Sequence, residues 1–502
     1  MAGSGVSGSV RAGRRMRRRP SARRFVAQGP LRWRFSLCGA ALLAALLLLV
    51  VNPALPGGSA PEAQLAAPPN VVVIMTDDQD RASLRHMPKV DALLQDEGTT
   101  FSRAFATTPL CCPSRASFLT GQYAHNHDVR TNFPPHGGYP RLDQSETLPV
   151  WLERAGYRTA HVGKFLNLYG IADPYEVPLG WSEWYGAIDP SAHRMYGYTL
   201  NENGTLVDYG TEPSDYQTDV YADKAVDFVQ RSAPGEPFFL SVAPLAPHME
   251  LNDTGPRPAP RHQGAFADAA LPRPASFNEK DVSDKPAAVR DKPRLTTGRI
   301  EELTALHRNR LASLLAVDDL VGRLVAALGE AGELENTLVM FTSDNGYLLG
   351  QHRLTGKAWQ YEESVGVPLI ARGPGFPAGA IRNQVVGNID LAPTILQASG
   401  ARPGAGHALD GRSLLGPAND PTAGSDRELV LESQTAKGTF AALQTRRYLW
   451  VRHATGEREL YDRRQDPLQL TSRHAREGYR AVRRTLARRL NELDNCSGAS
   501  CR

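Results

Sequence analysis

Asn70-Val71-Val72-Val73-Ile74-Met75-Thr76-Asp77-Asp78-Gln79-Asp80 is the stretch that decides the fold class. Asn70 to Met75 strings four β-branched residues together without polar alternation, the pattern of a strand buried on both faces. The run then breaks into acids. In open α/β sheets ligands collect just beyond the carboxyl ends of the strands, which makes Asp77 and Asp78 candidate site residues. As a helix N-cap cluster the same acids would have a purely local use.

The form recurs along the chain. Pro237 to Ala243 is a second buried run and leads into Pro244-Leu245-Ala246-Pro247-His248, and Thr337 to Thr342 is a third, leading into Ser343-Asp344-Asn345-Gly346. Gly156 to Phe165 follows an amphipathic helix, Leu148 to Ala155, and reads as a short strand with Lys164 at its end. Helices are expected over Met87–Leu94, opening at Ala116–Leu119 after Arg115, and over Tyr221–Val229 and Ile300–Leu328; the last places Leu303, Leu306, Leu314, Val317, Val321, Leu324 and Leu328 at three- and four-residue steps. Buried strands alternating with helices predict an α/β domain. Residues 170–215 are rich in Tyr, Trp and Gly without clean periodicity and read as loops over the mouth of a site. Residues 252–297 are dominated by proline and charge and read as a long surface excursion. Asp390-Leu391-Ala392-Pro393-Thr394 opens a helix that closes the main domain near Gly400. Short strands at Leu429–Ser433, Thr439–Gln444 and Tyr448–His453 and an arginine-rich helix at Glu477–Asn495 follow.

Between the first two buried runs lies Thr107 to Tyr123, with two of only five cysteines side by side: Leu110-Cys111-Cys112-Pro113-Ser114-Arg115, then Leu119-Thr120-Gly121. A cysteine pair alone is most simply small hydrophobic filler. The form Cys-x-Pro-Ser-Arg, however, resembles the recognition motif of the type I sulfatases, in which the first cysteine is oxidised to formylglycine. The resemblance extends from Asn70 to about Gly400, with weaker echoes at Glu459-Leu460-Tyr461-Asp462 and Asp466-Pro467. Tyr123-Ala124-His125-Asn126-His127 looks like the N-acetylglucosamine-6-sulfatase and arylsulfatase branch.

The resemblance implies an alkaline-phosphatase-like fold, a mostly parallel sheet flanked by helices, with a catalytic domain over 70–402 and a small C-terminal α+β subdomain over 403–502. It implies a metal site from Asp77, Asp78, Asp344 and Asn345 with residue 111. It also implies catalytic roles for Cys111 as formylglycine, Arg115 orienting it, Lys164 and Lys357 holding sulfate oxygens, and His248 as proton donor to the leaving oxygen. Hard oxygen donors suit Ca²⁺ better than zinc, since no Cys/His cluster at zinc spacing exists here. One departure stands out. Many sulfatases continue Lys-Trp-His, whereas this chain reads Lys164-Phe165-Leu166-Asn167, leaving the general base open among Asn167, His125 and His127. Glu362-Glu363 before Val367-Pro368-Leu369-Ile370 has a family look, and His352 is a further candidate substrate contact.

The formal charge is +4 over 502 residues, but residues 1–34 carry ten arginines and no acid, and without them it is −6. A mildly acidic folded part argues against a nucleic-acid partner. After this leader, Phe35 to Val51 is an almost unbroken apolar run, followed by Pro53, Pro56, Gly57 and Gly58: an export signal or a short membrane anchor, within a leader spanning 1–60. Residues 61–69 read as a Pro/Ala-rich linker. Export suits Cys496 and Cys501, which are expected to pair in an oxidising compartment; so short a loop contributes at most about 2 kcal/mol. The sequence thus predicts an exported, Ca²⁺-dependent hydrolase of a sulfated sugar or aryl sulfate, with a formylglycine-generating enzyme and export machinery as partners in maturation. The alternatives are a phosphodiesterase or phosphonate monoester hydrolase on the same scaffold and a non-catalytic sulfated-glycan-binding relative.

Overall fold

Fourteen strands of two main sheets and six longer helices frame the site. In chain order they are β1 (Asn70–Thr76), β2 (Gly98–Phe101), α1 (Cys111–Thr120), α2 (Leu148–Arg154), β3 (Arg158–Lys164), β4 (Glu183–Ala187), β5 (Tyr198–Glu202), β6 (Thr205–Tyr209), α3 (Gln217–Ser232), β7 (Phe238–Ala243), α4 (Thr297–Glu330), β8 (Thr337–Ser343), β9 (Leu369–Arg372), β10 (Ala380–Arg382), α5 (Leu391–Ser399), β11 (Leu429–Thr435), β12 (Gly438–Gln444), β13 (Tyr448–His453), β14 (Arg458–Asp462) and α6 (Arg480–Leu493). This computed structural model describes residues 68–502, apart from 234, 252–254 and 436. The basic leader, the apolar run 35–51 and most of the 61–69 linker lie outside the described residues.

Ten strands form one sheet in the order β10-β2-β9-β8-β1-β7-β3-β4-β5-β6. The central five, β8-β1-β7-β3-β4, are parallel, while β9 and β5 run antiparallel to their inner neighbours, so the sheet is mixed at its margins. The unbroken apolar reading of β1 has a direct cause. Val72 and Ile74 enter a core shared with α3 and α4, whereas Val71, Val73 and Met75 enter a second core shared with α1, α2 and α5. Both faces are covered, and neither needs polar residues. The smaller sheet, β11-β12-β13-β14, is antiparallel, and α6 lays Leu486, Leu490 and Leu493 against it. Cys496 and Cys501 form the expected disulfide.

Three segments depart from expectation. Residues 170–215 are not only loops: β4, β5 and β6 extend the main sheet there, and the aromatics pack inward, with His161 stacked on Trp184 at 4.8 Å and Trp184, Tyr169 and Trp181 buried. Of the stretch 252–297, residues 255–297 turn back into the protein, burying Ser276, Glu279, Lys285 and Val289. The helix expected after Arg115 begins at Cys111 itself, so the motif is its first turn. Pro113 suits that position because the first-turn amides have no intrahelical acceptor to lose, and Gly121, at φ 68°, ends the helix in the left-handed conformation that glycine adopts freely. Among the described residues no helix is long and apolar enough to cross a membrane.

Candidate active site

The sheet brings its acids together by register. Thr76 of β1 lies opposite Ser343 of β8, so Asp77–Asp78 and Asp344–Asn345 leave the same edge side by side. The Asp344 amide donates to the Thr76 carbonyl at 3.1 Å, and the Asp78 amide donates to the Asp344 carboxylate at 3.1 Å. Asp78 takes a left-handed φ of 67°, which turns the chain sharply after the strand. Lys164 ends β3, and His248 stands five residues past β7 on the same edge. The first turn of α1 carries Cys111 to this rim, where its sulfur lies 3.5 Å from Asp77 Oδ1 and 2.7 Å from Lys357 Nζ. Ligand atoms of Asp77, Asp78, Cys111 and His248 lie within 4.8 Å of one another.

Asp77, Asp78, Cys111, Arg115, Lys164, His248, Asp344, Asn345 and Lys357 therefore meet at one rim. Arg115 is buried and donates to Asp344 Oδ2 at 2.9 Å, to the Lys164 carbonyl at 2.6 Å and to Asp77 Oδ2 at 3.3 Å. Lys164 donates to Asp77 Oδ2, and Lys357 to Asp78 Oδ1 at 2.5 Å. His248 donates from Nδ1 to the Met249 carbonyl and turns Nε2 toward Asp78 and Asp77, at 3.6 and 4.0 Å. Cys112 packs in the core beneath.

Three carboxylates face three fixed cations in near-complete burial, and the balance shows in their proton affinities. Burial raises the affinity of Asp77, but Lys164, Lys357 and Arg115 outweigh it and hold the carboxyl well below the usual range; Asp78 is lowered in the same way, chiefly by Lys357 against burial. Asp344 goes the other way, pushed up to about 6 by burial and Asp77 against Arg115 and Lys357. Burial and Asp77 push the Cys111 thiol up to about 12 despite Lys164 and Lys357. At neutral pH an unmodified Cys111 is therefore held chiefly as the thiol, which makes it a poor nucleophile. Burial takes His248 down to about 3, with Lys357 and Lys164 opposing the pull of Asp77 and Asp78, so its free ring is neutral.

The donor set fits a hard divalent cation. Asp77, Asp78 and Asp344 offer carboxylate oxygens, and the side-chain oxygen of Asn345 is buried with no hydrogen-bond partner while its amide nitrogen donates to Asp78 at 2.6 Å. An unpaired buried carbonyl costs about 1–3 kcal/mol; a cation against it would remove that cost, and oxygen-rich sites suit Ca²⁺ or Mg²⁺.

Two neighbours were invisible to sequence reasoning. Arg310, inside α4, donates to the backbone carbonyls of Pro247 and Asp78 at 3.1 and 2.5 Å and so ties the two strand ends. Asn388 donates to Ser114 Oγ at 2.8 Å, steadying the motif turn. Three candidates are placed elsewhere. His125 bonds Glu432 and the Cys496 carbonyl, His127 is half-buried and contacts Ser117 Oγ at 3.0 Å, and His352 is buried against Tyr361 and Glu279. Asn167 stays near the rim but is buried with its side-chain oxygen unpaired.

The profile described as "Sulfatase" matches residues 69–401 of this chain. The chain belongs to the sulfatase family. It is accordingly a sulfuric ester hydrolase, of a family generally dependent on a metal. A second profile, "N-sulphoglucosamine sulphohydrolase, C-terminal", matches residues 350–496. The arylsulfatase of Volvox carteri is 36% identical over 493 residues, spanning 86% of this chain and 75% of the relative. The N-acetylglucosamine-6-sulfatase of Homo sapiens is 40% identical over 383 residues, spanning 74% and 68%. Among solved structures, a protein in complex with its substrate D-glucosamine-2-N,6-O-disulfate superposes with a TM-score of 0.73 at 25% identity, covering 85% of this chain and 97% of that one. The sulfatase fold accounts for the helix-flanked mixed sheet and the small antiparallel sheet after it.

Proposed function

We propose that this sulfatase removes sulfate from a glucosamine-type sugar, using formylglycine made from Cys111 and a Ca²⁺ ion held by Asp77, Asp78, Asp344 and Asn345. The observation that carries the reading is the meeting of Cys111 with three carboxylates, Lys164, Lys357, Arg115 and His248 at the edge where five parallel strands end. The likeness to proteins named for N-acetylglucosamine-6-sulfate and to one bound to a disulfated glucosamine supports the sugar.

The chemistry asks for charge neutralisation on several sides, because an anionic ester must be approached by a nucleophile while an alkoxide leaves. With three acids set against three bases the protein part of the site is close to neutral, so a divalent cation leaves a positive surplus for a monoanionic sulfate ester. A Ca²⁺ held by Asp77, Asp78, Asp344 and Asn345 would supply Lewis-acid polarisation of a sulfate oxygen and would ease deprotonation of a neighbouring hydroxyl. A hydrated aldehyde at residue 111 offers hydroxyl oxygens where the buried thiol resists ionisation. Arg115, anchored by Asp344 and the Lys164 carbonyl, keeps the first turn of α1 against the acids. Lys164 and Lys357 reach Asp77 and Asp78 and are placed to share their protons with sulfate oxygens. His248 is neutral in the free site; the negative charge of a bound ester raises its proton affinity, which suits donation to the leaving oxygen.

The arginine-rich leader and the run 35–51 support export, by a cleaved signal or an anchor, and a formylglycine-generating enzyme as maturation partner. The test is turnover. Sulfate release from glucosamine 6-sulfate and from an aryl sulfate is expected, with none from Cys111→Ala. A preference for aryl phosphodiesters would move the chain to phosphodiester or phosphonate chemistry, and glycan binding equal in wild type and Cys111→Ala with no sulfate released would make it a binding protein.

A further inference from the structure

The imidazole that the Lys-x-His pattern would place two residues after Lys164 is absent, because Leu166 occupies that position and packs in the core with Phe165 and Trp184. The neighbouring strand supplies one. β3 and β4 run parallel with Lys164 opposite Ala187, and two residues past Ala187 the chain reaches Asp189, then Pro190-Ser191-Ala192-His193. Asp189 is fixed by both backbone and side chain. Its amide donates to the Tyr169 carbonyl at 3.0 Å, and its Oδ2 accepts from the Leu168 amide at 2.5 Å, which ties it to the segment following β3. Its Oδ1 faces His193 Nδ1 at 3.2 Å. The ring lies beside the site's own histidine, with the His193 and His248 rings 5.4 Å apart, and His193 Nε2 makes no hydrogen bond among the described residues in a side chain 15% exposed.

We propose that His193, oriented by Asp189, is a further catalytic residue of this sulfatase: the general base whose Nε2 takes a proton from a hydroxyl at residue 111. The inference rests on the reading that residue 111 is converted and carries a hydroxyl. Asp189 at Nδ1 selects the tautomer with its proton on Nδ1 and a lone pair on Nε2. In the step the O–H bond breaks, its electron pair stays on oxygen, the proton goes to Nε2, and the imidazolium charge is shared with Asp189, the arrangement that serves a nucleophile–base–carboxylate set. The charges facing the ring are consistent with a resting neutral imidazole. Lys164 at the end of β3, then burial, lower its proton affinity, against Asp189 on its own turn and Asp77 at the end of β1. His248, the other group against it, is neutral in the free site.

The experiment uses full-length converted enzyme and compares wild type with His193→Gln, His193→Ala and Asp189→Asn. His193→Gln should lower kcat by about 10²–10⁴-fold with KM within about threefold, and added imidazole should restore part of the rate in His193→Ala alone. Histidine-selective ¹⁵N NMR should show His193 protonated on Nδ1 in wild type and a mixture of tautomers in Asp189→Asn, a readout that does not depend on turnover. Unchanged kcat in soluble His193→Gln, or a wild-type His193 protonated on Nε2, would overturn the assignment. A loss not rescued by imidazole and matched by a lower melting temperature would also overturn it, leaving His193 a packing residue. Wild-type enzyme that releases no sulfate although residue 111 is converted would refute the underlying reading instead, since His193 could not then be the cause.

Discussion

Arg115→Gln separates the structural and chemical parts of the account. The guanidinium is buried, and its three contacts go to Asp344, Asp77 and the Lys164 carbonyl. Removing one partner of a buried ion pair typically costs 3–5 kcal/mol, because the other charge stays behind unpaired. Here two carboxylates stay behind, but Lys164 and Lys357 still face Asp77 and Asp78, so about 3–5 kcal/mol is the expected loss in urea titrations of metal-stripped protein. The charge count then shifts from three against three to three acids against two bases. Ca²⁺ should accordingly bind Arg115→Gln more tightly than wild type and restore more of its stability, even though sulfate release falls by at least about 10²-fold. Arg115→Lys should lie between them, since an ammonium cannot reproduce the three-way fork. If Arg115→Gln matches wild type in urea without metal, or gains less from Ca²⁺ than wild type does, Arg115 does not neutralise these acids and the electrostatic argument for the site fails.

Further outcomes follow from other contacts. Chelation should abolish turnover and lower the melting temperature, with Ca²⁺ at 100 times its Kd returning about 2.7 kcal/mol; a metal-independent melt would contradict the donor-set argument. Glu362 bridges Arg81 at 2.6 Å and Arg463 at 2.7 Å, and although burial opposes it, the two arginines bring its carboxyl down to about 2 from 4.5. A depressed acid stabilises the fold above its unfolded value and loses that contribution as pH falls toward the folded one, so wild type should exceed Glu362→Gln by about 3 kcal/mol at pH 6. The gap should shrink between pH 4.5 and 2 in urea titrations, and a pH-independent gap would refute it. Replacing Cys496 and Cys501 by serine should cost at most about 2 kcal/mol and leave turnover within about twofold of wild type, as their loop lies by His125 and Asn126 rather than by Cys111.

The strands were legible wherever burial on both faces wrote itself as an unbroken apolar run, as in β1, β7 and β8. Their ends were legible too, because Asp77 and Asp344 follow such runs directly and His248 stands five residues beyond one. β4 to β6 escaped, since Tyr, Trp and Gly there alternate to suit aromatic packing around His161 and Trp184 rather than a plain two-residue period. The start of α1 was misplaced because Pro113 reads as a breaker, although a first-turn proline costs no hydrogen bond. Arg310 had no signal at all: within α4 it reads as one more charge on an amphipathic helix, and only the fold shows that it crosses to Asp78, 232 positions away in sequence. His193 was lost among irregular residues for the same reason, as its meaning comes from the strand next to Lys164. His125 and His127 drew attention by their spacing, yet their partners are Glu432 and Ser117.

The central claim is that residue 111, not a free thiol, confronts the sulfate ester. Mass spectrometry of the tryptic peptide Ala104–Arg115 from an active preparation tests it most directly. The account predicts an aldehyde, or its hydrate, at position 111 with Cys112 retained as a thiol. An active enzyme whose peptide holds two unmodified cysteines would contradict it.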